Sequence, residues 1–301
     1  MGYDPLSEED VKKIVRVCKK NGIRLLPKMN LHGHQSGQPN IPTDGILHGH
    51  HEKIPDIRDG LLRAYPEFDE QPNEPAFYSR SLCMTNPLVK IILFDLIDEL
   101  LEVFEADGMH IGCDEVLNIG LCPECKKYSN AKLFGDWVTS IHDHLASRGA
   151  EMLIWGDRFL NSKETGYQEF ESSANGTDPA IDVVPKDILI CDWHYEKQTE
   201  YPSLAVYKNK GFKMLVSPWR IREHTENFIN YAKAHNMQVV DIYADEGITA
   251  RKALNKRLQF QRLIKDVQAG KIDLILVTKL DRWFRNIKDY HNTQEILEKH
   301  N

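Results

Sequence analysis

The chain has 301 residues, of which 41% are hydrophobic and 28% charged, enough apolar material to bury one large barrel or two modest cores. A formal charge of −7 gives no general pull toward nucleic acid, no apolar run reaches the ~18 residues of a membrane span, and six irregularly spaced cysteines make no disulfide framework. The start, Met1-Gly2-Tyr3-Asp4, lacks the basic and apolar regions of a leader, so the expectation is a cytoplasmic protein with reduced thiols, no membrane contact and no cofactor. The charge is uneven: the stretch from His224 onward carries +3 and the rest −10. That asymmetry suggests two parts of different character.

In chain order, Ser7 is placed to cap a helix whose first turn is acidic and whose apolar stripe is Val11, Ile14, Val15 and Cys18. Residues 23–30 read as a short strand, followed by the Gly/His-rich loop Leu31-His32-Gly33-His34-Gln35-Ser36-Gly37. Residues 37–80 are irregular, with only 57–65 helical in pattern, and a loop of that length suggests function. Residues 86–104 are a strongly periodic helix, with Val89, Ile92, Leu93, Leu96, Ile97, Leu100 and Leu101 apolar.

A strand then runs into Gly112-Cys113-Asp114-Glu115. Residues 131–148 are helical and end at Gly149. Glu151-Met152-Leu153-Ile154-Trp155-Gly156-Asp157, Ile188-Leu189-Ile190-Cys191-Asp192-Trp193-His194-Tyr195 and Phe212-Lys213-Met214-Leu215-Val216-Ser217-Pro218-Trp219-Arg220 are three more strands. The five strands each end in His, Asp, Glu, Trp or Tyr, with helices between most of them. The pattern predicts a parallel α/β fold, an incomplete (β/α)8 TIM-type barrel with its polar and aromatic residues at the strand C-termini.

Asp114 and Glu115 are the chemistry-bearing pair. In an extended chain neighbours point to opposite sides, so the two carboxylates are expected to diverge and take different jobs. After Trp219 the character changes. Residues 223–235 are helical, 239–243 and 272–277 are strands, and Leu280-Asp281-Arg282-Trp283-Phe284-Arg285-Asn286 follows the last of these.

The segments Gly22-Ile23-Arg24-Leu25-Leu26-Pro27, Gly33-His34, His110-Ile111-Gly112-Cys113-Asp114-Glu115, Leu153-Ile154-Trp155-Gly156-Asp157 and Cys191-Asp192-Trp193-His194-Tyr195 together resemble the family-twenty glycoside hydrolases. These are β-N-acetylhexosaminidase-like enzymes, and here the resemblance covers residues 1–222. It implies a carbohydrate partner, a terminal N-acetyl-β-hexosaminide, hydrolysed with substrate assistance and retention. Glu115 would be the general acid/base and Asp114 would orient the acetamido group. His34, His110, Trp155, Asp157, Trp193, Tyr195 and Trp219 would bind the sugar. The family usually has Gly where Cys113 stands, and its first strand, with a sugar-binding Arg, precedes the point where this chain begins.

Residues 223–301 resemble the serine recombinase (resolvase/invertase) catalytic domain, through Tyr243-Ala244-Asp245-Glu246-Gly247-Ile248-Thr249 and the 280–286 signature. The resemblance implies a partial resolvase-like α/β segment with a phosphate site at Asp281, Arg282 and Arg285, suited to guanidinium donors. The family's Tyr-x-Arg-x-Ser strand is missing, so strand cleavage is not expected and DNA contact would be weak and nonspecific. Rival readings are a carbohydrate binder that hydrolyses nothing, and a metalloprotein using Cys122-x-x-Cys125 with His32, His34, His48, His50 or His51. One cysteine pair falls short of a four-ligand site, so no metal is expected. A barrel with uncovered edges predicts self-association.

Overall fold

A computed structural model of the chain describes residues 7–20, 24–37, 57–58, 60–73, 79–195 and 199–217, with a few single positions beyond. The chain divides into two compact units. One comprises Met1–Leu25, Tyr195–Tyr201 and Ser217–Asn301, the other Leu26–His194 and Pro202–Val216.

In the first unit, helix α1 (Glu8–Lys20) is started by Ser7. The Ser7 Oγ accepts the Asp10 amide at 3.2 Å and donates to Asp10 Oδ2 at 2.7 Å, a reciprocal cap that satisfies end groups the helix cannot bond itself. Val11, Val15 and Cys18 are its buried stripe, while Ile14 is exposed.

The second unit is built on a four-stranded parallel sheet of strands β3 (Gly108–His110), β4 (Glu151–Trp155), β5 (Leu189–Asp192) and β6 (Lys213–Val216), arranged in chain order. Residues 27–31 extend it beside β3: the Pro27 carbonyl accepts the His110 amide, and the Met29 and Leu31 amides donate to His110 and Ile111. Of the strand expected over 23–30, the described residues from 24 on show a bridge between Lys28 and His110. Pro27 has no N–H to give to a ladder, which limits how far the pairing can run. β1 (Ser36–Gly37) and β2 (Ile57–Arg58) form a short antiparallel pair, followed by helix α2 (Gly60–Ala64). The helix expected over 57–65 thus begins only at Gly60, whose φ of +52° interrupts any continuous turn from Arg58.

Two long helices pack on the sheet. In α3 (Pro87–Val103) the Asn86 side chain accepts the Leu88 amide, Pro87 supplies a pre-set first turn, and Val89, Leu93, Ile97 and Leu101 recur every four residues as the buried line. In α4 (Asn130–Ser147) Ser129 caps Lys132, and Trp137, Val138, Ile141 and Leu145 are buried. Each such side chain, removed from water, stabilises the fold by roughly 1.5–3 kcal/mol before entropy is counted. Asp98 of α3 reaches His144 at 2.8 Å and Arg148, tying the two helices at the surface. The short α5 (Ser162–Thr165) and α6 (Pro202–Asn209) precede β5 and β6. Among the described residues, no helix is long and apolar enough to cross a membrane.

Candidate functional site

Parallel strands in chain order put all their C-terminal ends at one edge of the sheet. His34 follows the 27–31 segment, His110 closes β3, Trp155 closes β4 and Trp193 follows β5. Beyond His110 the backbone turns sharply: φ is +69° at Gly112, +62° at Cys113 and +50° at Glu115, and His34 opposite stands at +57°. Three of these are not glycine, and each such residue costs about 1–2 kcal/mol in the left-handed region. At Gly112 a Cβ would lie 1.7 Å from Asn30 Oδ1 and 2.9 Å from Asn30 Cα, so only glycine fits.

This turn overturns the expectation that Asp114 and Glu115 diverge. The chain is not extended there, and both carboxylates converge on one ring: His34 Nε2 is 3.4 Å from Asp114 Oδ2 and 3.4 Å from Glu115 Oε2. Burial works against charge on His34, but the bond and charge of Asp114 and the charge of Glu115 outweigh it, and its pKa is raised. Burial likewise opposes charge on Asp114, yet His34, with Lys28 behind it, holds that carboxyl below its usual range. His34 and Asp114 thus form an ion pair with Glu115 alongside. Asp114 Oδ1 is buried with no hydrogen-bond partner among the described residues.

Asp157 sits beneath the loop. Its Oδ2 accepts the Glu115 amide at 2.9 Å and Arg158 Nε at 2.7 Å, and its Oδ1 accepts Trp193 Nε1 at 3.0 Å. Burial raises its pKa against the pull of Arg158. Both oxygens are engaged inside the protein, so this residue, expected to meet sugar hydroxyls, instead fixes the Glu115 backbone and the Trp193 ring. Arg158 is fully buried, its Nη2 faces the Glu169, Phe170 and Ser172 carbonyls at 2.5–2.9 Å, and its Nη1 has no hydrogen-bond partner among the described residues.

His110 is held as a neutral ring. Burial and then Lys28 lower its pKa to about 3, and its Nδ1 accepts the Gly112 amide at 3.0 Å. The ring hydrogen is therefore on Nε2, a buried donor with no partner among the described residues. The ring packs on Trp155 at 4.5 Å, and Lys28 Nζ lies 5.3 Å from the centre of the same indole.

Asp114, Glu115, His34, His110, Trp155, Asp157 and Trp193 thus share one region of this unit. Tyr195 falls in the other unit. Trp219, Asp281, Arg282, Arg285, His48, His50 and His51 lie outside the described residues, as do the elements expected after 217 apart from a few helical positions. Lys28 and Arg158 were not anticipated. Lys28 could have been found from its place near the end of a short strand, whereas nothing in the local sequence marks Arg158 as buried.

Residues 2–241 match the family described as Glycosyl hydrolase family 20, catalytic domain, and residues 220–301 match Resolvase, N terminal domain. A curated relative, the lacto-N-biosidase of Bifidobacterium bifidum, is 24% identical over 178 residues, covering 54% of this chain and 14% of that protein. The chitobiase structure from Flavobacterium johnsoniae aligns with a TM-score of 0.51 at 15% identity, over 98% of this chain and 42% of that one. The β-N-acetylhexosaminidase from Bacteroides fragilis NCTC 9343 gives 0.49 at 17% identity, over 85% and 47%. The chain spans less than half the length of each of these three. The family match covers most of the chain, and the chitobiase alignment fits a parallel, TIM-type α/β architecture: the chain belongs to glycosyl hydrolase family 20.

Proposed function

We propose that the chain hydrolyses terminal N-acetyl-β-hexosaminides with retention, the substrate's own acetamido group acting as nucleophile. The observation that carries this is Asp114: its Oδ2 lies 3.4 Å from His34 Nε2, and its Oδ1 is a buried acceptor without a partner among the described residues. An acetamido N–H is the donor such an oxygen fits. Held there, the acetamide presents its carbonyl oxygen to the anomeric carbon. Glu115, one residue on and aimed from the same loop, gives its proton to the leaving glycosidic oxygen as that bond breaks. It then takes a proton from the water that opens the cyclic intermediate. Two adjacent carboxylates suit this division, because no enzyme nucleophile is needed on the opposite face of the ring. His110 Nε2–H and Trp155 Nε1–H, both buried and unpartnered among the described residues, are candidate hydroxyl donors, and the Trp155 and Trp193 rings supply stacking faces.

The relative named lacto-N-biosidase is compatible with action on a glycoside. Residues 223–301 are read as a recombinase fragment without strand-cleaving activity, since no nucleophilic serine strand accompanies the match. The second reading is a sugar-binding unit without turnover.

The deciding experiment measures chromophore release from an aryl N-acetyl-β-glucosaminide by the intact chain and by Glu115→Gln. A fall in kcat of ~10²–10⁴ is expected on losing the transferable proton. The corresponding aryl β-glucoside, which has no acetamide, should be a far poorer substrate. Equal turnover of the two substrates would remove substrate assistance, and no turnover from folded protein would favour the binding unit.

A further inference from the structure

Glu70, Cys83, Cys122 and Cys125 lie outside this site, yet each offers one ligand atom within 4.8 Å of all the others. Cys83 Sγ is 3.6 Å from Cys122 Sγ and 3.8 Å from Cys125 Sγ, and Cys125 Sγ is 3.3 Å from Glu70 Oε2. A tetrahedral zinc ion with Zn–S bonds of about 2.3 Å holds its sulfurs about 3.8 Å apart, and a sulfur and a carboxylate oxygen about 3.5 Å apart. The three separations given above stand within about 0.2 Å of those values, and the remaining pairs lie within 4.8 Å. All three sulfurs are free thiols, and Glu70, Cys83 and Cys125 are buried.

The surroundings are those of a ligand set. Glu70 Oε1 accepts the Leu121 and Cys122 amides at 2.6 and 3.1 Å, which turns Oε2 toward the sulfurs. Cys122 Sγ accepts the Cys125 amide at 3.2 Å, a bond that favours the thiolate and is made within the Cys-Pro-Glu-Cys turn itself. The Thr85 hydroxyl lies 3.4 Å from Cys83 Sγ and 3.2 Å from Cys125 Sγ. Such outer bonds orient metal ligands. Among the described residues no Lys, Arg or His forms an ion pair with Glu70, so its charge has no protein counter-ion there.

We infer that Cys83, Cys122, Cys125 and Glu70 form a structural zinc site. Three soft sulfurs and one carboxylate in tetrahedral array select zinc over calcium or magnesium, and four protein ligands leave no position open for substrate. The site would join the segments around Glu70 and Cys83 to the loop that carries Asp114 and Glu115 a few residues upstream of Cys122.

The test is metal content of the purified intact chain, with zinc added back to chelator-treated protein. One zinc per chain is expected, falling at least ~tenfold in Cys125→Ala and in Cys83→Ala, with Cys18→Ala unchanged. Cobalt(II) loaded into the wild type should show tetrahedral ligand-field bands and thiolate charge transfer. That measurement stands even if the variants do not fold. Absence of zinc after reconstitution, retention of zinc by Cys125→Ala, octahedral cobalt, or a native disulfide among these cysteines found by mass spectrometry would each overturn the assignment. None of these readouts depends on glycosidase activity.

Discussion

His32 presents its ring edge-on to Trp137 at 5.7 Å, sealed from solvent, and burial lowers its pKa to about 3. An unfolded chain binds a proton there below about pH 6.5 while the folded chain does not, so stability is lost as the pH drops below that value, by about 1.4 kcal/mol per unit. His32→Leu should remove that dependence. Between pH 7.5 and 5 the wild type should lose about 2 kcal/mol more unfolding free energy than the variant, measured by urea titration. Equal losses would mean that His32 is protonated in the fold. His34 has the opposite sign. Its raised pKa means its stabilising pair with Asp114 is fully present below about pH 6.5 and fades as the pH rises through the folded value. The destabilisation caused by His34→Gln should therefore be larger at pH 6 than at pH 9, and a deficit independent of pH would sink the ion pair.

The turn after β3 is where local rules and geometry part. Gly112→Ala would drive a methyl into Asn30 and force a left-handed φ on alanine. A loss of several kcal/mol is expected, visible as a lower urea midpoint, and an unchanged midpoint would show that the loop relaxes freely. The helices α3 and α4 were legible to within a residue or two, because four-residue apolar spacing and the caps Asn86 and Ser129 are local signals. The strand ends were legible as well, through Trp155 and Trp193. The convergence of Asp114 and Glu115 on His34 was not, since it depends on positive φ at Cys113 and Glu115, which ordinary propensity assigns to glycine. Cys83 was hidden for another reason: 39 residues separate it from Cys122, and no spacing rule links them.

At the scale of the molecule, β6 and the 27–31 segment each bond to one strand neighbour among the described residues, and such edges are templates for pairing. Self-association of the intact chain is the expected outcome in sedimentation velocity at micromolar concentration. A single sharp monomer boundary with a cooperative high-temperature melt would contradict it. The strand order carries one more consequence. Because β4, β5 and β6 each bond to the strand made just before them, this part of the sheet can be laid down in the direction of synthesis, every new strand finding its partner already outside the ribosome. Pairing between successive strands also keeps the separation along the chain short for a parallel sheet, which moderates the loop-closure cost that slows such folds. Nascent chains halted after residue 194 should already protect β3 and β4 from proteolysis, before the last strand of the series exists.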